Sequence, residues 1–241
     1  MLQRVREAVG ERVNLIHRLD RGASGCLLFS FARCDENGGN VTAVLQEAMM
    51  SSSSKTYLAL VRGEGILQGR DFRKEGWFMV NRPLKDESGN LKSATTHFRF
   101  VAGQDNDNGT LEDRPRASLV LARIETGRWH QIRKHLNGLS HPIIGDSSHG
   151  NSKTNREWRE KWGLPAERTC LHLLQLQLPP TPVSPDGISV MSPVPQDMMT
   201  MIQEHMLPEV VEEARIVLQQ EGLSMDSSRE TECVNVRLEI P

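Results

Sequence analysis

The 241 residues, with four cysteines and a formal net charge of −2, suffice for one sizeable α+β domain, or for a domain carrying an appendage. No apolar run reaches spanning length and no charged-then-apolar leader opens the chain, which predicts a soluble protein with no membrane partner, cytoplasmic or else in an organelle. Cys26, Cys34, Cys170 and Cys233 are scattered and form no CxxC pair; neither a zinc site nor a disulfide framework is predicted, and a reducing compartment is the default.

In chain order, residues 1–12 read as a short helix, GCLLFSFA (25–32) as a strand and VTAVLQEAMM (41–50) as a helix. KTYLALVR (55–62), ATTHFRFVA (94–102) and ASLVLARIE (117–125) have the length and the β-branched or aromatic content of strands. RWHQIRKHLNGL (128–139) has helical period: Trp129, Ile132, Leu136 and Leu139 form the expected core face, and His130, Arg133 and Asn137 a face free for chemistry. Residues 154–162 read as a basic helix on which Trp158 and Trp162, four apart, are expected core anchors. Leu174, Leu176 and Leu178 alternate as a half-buried strand should, and Pro179, Pro180, Pro182 and Pro185 are expected to end the sheet. Pro208 suits the first turn of an amphipathic helix over 208–222 with Val210, Val211, Ala214, Val217 and Leu218 on one stripe, and 223–241 read as a loose tail. Polar loops are expected at 35–39, 51–54 and 103–115, and no internal repeat is seen. The predicted fold is α+β, with a mixed, largely antiparallel sheet and flanking helices, divided into a domain over 1–180 and an appendage over 181–241.

The charge is unevenly divided. Residues 1–175 carry 26 Lys and Arg against 20 Asp and Glu, whereas residues 176–241 carry 3 against 11. A basic front is the footprint of a nucleic-acid partner, with ordinary scatter of solvated charge as the competing reading. Within 128–161, Arg128, Arg133, Lys134, Lys153, Arg156, Arg159 and Lys161 face only Asp146, Glu157 and Glu160, making this window the candidate phosphate-contacting face.

The segment VNLIHRLDRGASGCLLF places Asp20 between Arg18 and Arg21, ahead of four small residues that suggest a tight loop at a sheet edge with room for a ligand. On residue types alone, an ordinary surface Arg–Asp pair explains it more simply. Taken together with KTYLALVRG and TGRWHQIRKHLNGLSHPIIGD, in that order, the segment strongly resembles the RluA family of pseudouridine synthases, whose hallmark reads HR[LI]D followed by TSG. The likeness covers about residues 3–180, and GDSSHGNSKTNR is similar to the tRNA-modifying TruC branch.

The resemblance implies the catalytic fold of that family over 1–180 and an RNA substrate, tRNA favoured over rRNA. It implies Asp20 as the essential carboxylate, acting as nucleophile or as the base that starts glycal formation, with Arg133 as its basic partner. Tyr57, the sole tyrosine, stands where the family keeps an active-site tyrosine that can stack under a flipped uracil; half-buried packing is the plainer reading of a lone strand tyrosine. Arg18 matches the position that fills the gap left by the base, and Arg21, Arg128, His130 and Gln131 complete the expected substrate-binding set. His17, His130 and Gln131 are alternatively hydrogen-bonded supports.

His130 and His135 are five apart, off a common helical face and without an HExxH-type acid, so no metal is predicted. No cofactor is implied, and a monomer is expected. Family members usually carry strands and an NKPxG segment ahead of the catalytic loop, where this sequence has 19 residues before Asp20; the N-terminal part of the family domain is therefore expected to be missing. Ala23 replaces the usual Thr. An rRNA-directed synthase and a noncatalytic RNA-binding descendant remain the alternatives; a glycosidase-like hydrolase lacks a second carboxylate near Asp20.

Overall fold

The computed structural model describes residues 2–32, 40–104 and 114–226. The chain opens with α1 (Leu2–Val9), β1 (Val13–Leu15), β2 (Ser24–Gly25) and β3 (Phe29–Phe31), and α2 (Val41–Ser51) leads into β4 (Ser54–Arg62). Asn40 caps α2, its Oδ1 accepting from Ala43 N–H at 3.2 Å. Short strands β5 (Ile66–Leu67), β6 (Arg70–Asp71), β7 (Phe78–Asn81), β8 (Leu84–Lys85) and β9 (Leu91–Lys92) precede the long β10 (Thr95–Gln104) and β11 (Ala117–Ile124). Then come α3 (Gln131–Gly138), α4 (Ser152–Trp162), β12 (Leu171–Leu178), β13 (Ile188–Met191), α5 (Gln196–His205) and α6 (Pro208–Gln220). No helix among the described residues is long and apolar enough to cross a membrane.

The main sheet runs β13-β12-β4-β11-β10-β7, with β2 joined to β12 as its one parallel pair, so the expected mixed and largely antiparallel α+β architecture is observed. β2 and β13 share one edge of β12: β2 lies opposite His172 and Leu173, and β13 opposite residues 175–178. Phe98, Phe100, Leu58, Leu60, Leu119 and Leu121 are fully buried within the core that this sheet shares with the helices. Val210, Val211, Ala214 and Leu218 bury the predicted stripe of α6. The end of that helix is pinned by Glu221, which accepts from Trp77 Nε1 at 2.9 Å and pairs with Arg99 and Arg123.

Four local expectations are corrected. GCLLFSFA is not one strand: Gly25 sits at φ +125°, a left-handed conformation that turns the chain, so Ser24–Gly25 joins β12 while Phe29–Phe31 pairs with β1. The prolines after Leu178 do not end the sheet. They occupy the turn of the β12–β13 hairpin, where no ladder N–H is needed, and position 180 therefore lies inside that hairpin. The tail does not begin at 223, because Leu223 and Met225 are buried in the core; residues 227–241 lie outside the described residues. Trp129 is 45% exposed rather than core, for reasons that belong to the site. Trp158 is buried as expected, and Trp162 is packed at its margin. Of the polar loops, 35–39 and the greater part of 103–115, residues 105–113, lie outside the described residues, 51–54 shrinks to the two residues between α2 and β4, and Gly103 and Gln104 belong to β10.

Candidate active site

Asp20 stands in the loop between β1 and β2, within a turn closed by Ala23 N–H donating to the Asp20 carbonyl at 3.1 Å, with Gly22 at φ +80° in its third position. The small residues of this loop divide: Ala23 lines the cleft, whereas Gly22 and Gly25 admit backbone rather than a ligand. A Cβ on Gly22 would stand 2.3 Å from the Glu167 carbonyl oxygen, and one on Gly25 2.3 Å from that of Leu173. Arg168 braces the loop from behind, donating to Gly22 O at 3.3 Å and to Ser24 Oγ at 2.9 Å, and Ser24 Oγ in turn bonds His172 Nδ1 at 2.8 Å. Gly25→Ala, which combines a strained φ with a backbone clash, is expected to lower stability by about 3 kcal/mol or more. Urea denaturation checks this, and a loss below about 1 kcal/mol would show that the loop can shift.

Across the cleft, α3 begins abruptly. His130 is left-handed at φ 55°, an uncommon state for a residue other than glycine, and the helix proper starts at Gln131. This is why Trp129 leaves the helical face assigned to it: it precedes the first helical turn, its ring stacks on His130 at 4.3 Å, and Lys134 Nζ sits 4.1 Å over it. Gln131 fixes the entry by accepting from Thr126 Oγ1 and Arg128 N–H and donating to Thr95 O and Thr96 Oγ1, at 2.7–3.1 Å. With all four contacts made inside the protein, its amide supports the site from beneath.

Arg133, in the first turn of α3, is buried and reaches two carboxylates. Nη1 donates to Asp20 Oδ2 at 3.1 Å, while Nε and Nη2 fork onto Asp146 Oδ2 and Oδ1 at 2.7 and 2.6 Å. Asp146, 1% exposed, also accepts Ser148 N–H and His149 N–H, each at 2.9 Å. Burial works to raise its pKa, but Arg133 and those two amides outweigh it and hold the carboxyl below the usual range. Burial likewise opposes the charge on Arg133, and its two carboxylate partners overcome that and raise its pKa. Among the described residues Asp20 Oδ1 accepts no hydrogen bond, so one oxygen of that carboxylate is tethered and the other is open to the cleft.

The cleft has a volume of about 380 Å³, within the range of small-molecule sites. Asp20, Tyr57, Arg133, Arg18, Arg128, His130 and Gln131 all line it. Of the expected set, Arg21 alone is not brought in: it points away to Glu167, Nη2 to Oε2 2.6 Å, on an exposed surface. Arg18 is exposed at the mouth and, among the described residues, pairs with no carboxylate. Arg128 is steadied by donating from Nε to Ser93 O at 2.9 Å.

Tyr57 on β4 packs between the two apolar clusters of the molecule, and burial together with the charge of Asp20 pushes its phenol above the ordinary value, so it keeps its proton. His130 Nδ1 is 2.9 Å from His149 Nε2, and His130 Nε2 is 4.0 Å from Asp20 Oδ2. Burial lowers the pKa of both imidazoles, aided at His130 by Arg133, so the contact with Asp20 is not a charged pair at neutral pH. His17 is lowered to about 4 by burial and by Lys55, and it accepts from Leu28 N–H at 3.2 Å, which makes it a neutral support.

Sequence reasoning missed Asp146, His149, Arg168 and Lys55. Asp146 counted only as one acid in a basic window; the constraint on the glycine before it, where a Cβ would lie 2.0 Å from Arg168 O, exists only in the folded chain. Lys55 lies in the tyrosine-bearing strand, lines the cleft, and has its ammonium against Met49 O at 3.0 Å.

Residues 1–138 match the family described as RNA pseudouridylate synthase. The tRNA pseudouridine synthase C of Yersinia pestis is 33% identical over 184 residues, which cover 74% of this chain and 68% of that protein. That of Pectobacterium carotovorum is 31% identical over 191 residues, and this chain spans only 46% of its length. The solved structure of human RNA pseudouridylate synthase domain containing 4 superposes with a TM-score of 0.58 at 18% identity, covering 84% of this chain and 79% of that one, a likeness of fold.

Proposed function

Because the chain belongs to the RluA family of RNA pseudouridine synthases, which are isomerases, we propose that it converts a uridine of structured tRNA to pseudouridine with Asp20 as the catalytic carboxylate. The observation that carries this reading is the asymmetry of Asp20: one oxygen is tied to Arg133, and the other faces a cleft of nucleoside size beside Tyr57. The reaction breaks N1–C1′, turns the base, forms C5–C1′, and moves one proton from C5 to solvent while N1 gains another, so it needs no redox partner or cofactor. Attack at C1′ and proton removal from the sugar both call for an ionised, reachable carboxylate oxygen.

A target uridine in a stem must leave the stack, at a cost of a few kcal/mol. In this reading Arg18, which lines the cleft, occupies the vacated space and the ring of Tyr57, which also lines it, receives the base. A phenol that holds its proton is a poor resting base, which favours stacking as the first role of Tyr57. Arg128, His130 and Trp129 form the facing wall.

The tRNA substrate is drawn from the synthase C relatives, whose names state it. Phosphate contact is assigned to α4, which carries Lys153, Arg156, Arg159 and Lys161 on its outer surface and is fastened to the site by Asn155 Nδ2 donating to Asp146 O at 2.8 Å. Lys153 and Arg156 make no ion pair among the described residues, leaving their charge available. Changing both to Gln is expected to reduce the slope of log K against log salt for tRNA binding by roughly two. An unchanged slope would remove α4 from the RNA face.

Pseudouridine mapping in tRNA and rRNA from cells with and without the gene tests the function. A tRNA site that vanishes with the gene is the expected outcome. A vanished rRNA site would shift the substrate to rRNA, and no change in either pool would defeat the enzyme reading in favour of RNA binding alone.

A further inference from the structure

A guanidinium presents five N–H donors in a rigid planar fork, and its preferred partner geometry is a carboxylate gripped by two parallel bonds. Arg133 uses that fork on Asp146, not on Asp20: Nε and Nη2 are committed at 2.7 and 2.6 Å, and Asp20 receives one bond from Nη1. Asp146 cannot release it cheaply, because it is 1% exposed and held in turn by the Ser148 and His149 amides, while its own carbonyl accepts from Asn155. We infer that Asp146 is a positioning residue for the reaction: by occupying the forked edge of Arg133 it denies that edge to Asp20, so that Asp20 is neutralised through one oxygen and keeps the other free for the nucleoside. The inference rests on the reading of Asp20 as the reacting carboxylate.

The alternative is that Asp146 merely balances a buried charge. The two differ in what happens when the fork itself is removed. A lysine side chain in place of Arg133 is a point charge with no fork to misdirect, so the steering role of Asp146 disappears in that background, whereas a merely structural role persists.

The test is a double-mutant cycle of Asp146→Asn and Arg133→Lys, read as the single-turnover rate of pseudouridine formation in tRNA at saturating protein, with tRNA affinity and thermal melting recorded beside it. Asp146→Asn is expected to lower the rate on the order of 10–100-fold in the otherwise wild-type protein, and by less than about threefold in the Arg133→Lys background, with tRNA affinity unchanged. Equal losses in both backgrounds, or an Asp146→Asn protein as fast as wild type, would overturn the inference.

Should Asp146→Asn melt below the assay temperature, Asp146→Glu serves in its place. It keeps the charge and moves the carboxylate by one methylene, and a roughly tenfold loss of rate is expected, against none if only charge matters. The Nε–H resonance of Arg133 in nitrogen-15 NMR reports the clamp without turnover: it should exchange slowly in wild type and in Asp20→Asn, and rapidly in Asp146→Asn. Slow exchange retained in Asp146→Asn refutes the clamp. A wild-type protein that shows the clamp but turns over no RNA sinks the functional reading, and with it this inference.

Discussion

Asp20→Asn is expected to reduce pseudouridine formation in tRNA by about 10⁴-fold or more, while tRNA affinity stays within a few-fold of wild type. Asparagine matches the side chain in shape but offers no anionic oxygen, so it can neither attack the sugar nor take its proton. The fold should survive the change, because Arg133 keeps both bonds to Asp146 and loses only the one contact at 3.1 Å. The other residues of the cleft wall and the outward charges of α4 are untouched, which is why binding persists. Nucleoside chromatography of single-turnover reactions, paired with filter binding, separates the two quantities. A variant that bound poorly and turned over normally once bound would reverse the assignment.

Arg133→Ala should be the most destabilising change at the site, by about 3–5 kcal/mol at neutral pH, since it strands a buried carboxylate at Asp146. The pH dependence carries a sign that tests the cause. In the wild-type protein the folded pKa of Asp146 lies below its unfolded value of about 3.9, so its stabilisation is complete above that value and is lost as pH falls through the lower folded one. Without Arg133 only the burial effect and two amides remain, and burial is the largest single influence on this group. The folded pKa then rises above the unfolded value, so the stability deficit of the variant relative to wild type should narrow as pH falls from 7 towards 5, on top of the loss that the buried neutral histidines impose on both proteins. Urea midpoints across that range decide it; parallel curves for the two proteins would show that the Asp146 carboxylate is not what Arg133 supports.

How far the sequence speaks depends on whether a residue's neighbours are local. Asp20, Tyr57 and Arg133 come from three separate motifs, and the structure brings them to one cleft. The long strands β4, β10 and β11 and the helix α6 were readable because their periodicity runs for eight residues or more. Trp129 was misread because the helical wheel was extended one residue before a left-handed His130, a break that no periodicity announces. Gly22 and Gly25 were visible as small residues, but what they make room for, the backbone of residues 167–173, is remote in sequence. The four-residue strand β13 was too short to read behind a run of prolines. Asp146 illustrates the same limit at the site: its value lies in Arg133, 13 residues away across a turn, and in two amides that aim at it only after folding.

The most direct test of the account is release of tritium from tRNA labelled at C5 of its uridines, incubated with the purified protein, because C5 must lose its hydrogen when it becomes the glycosidic carbon. One equivalent released per tRNA with the wild-type protein, and none with Asp20→Asn, is the predicted result. Bound tRNA that retains all its tritium, or release that continues undiminished in Asp20→Asn, would contradict it.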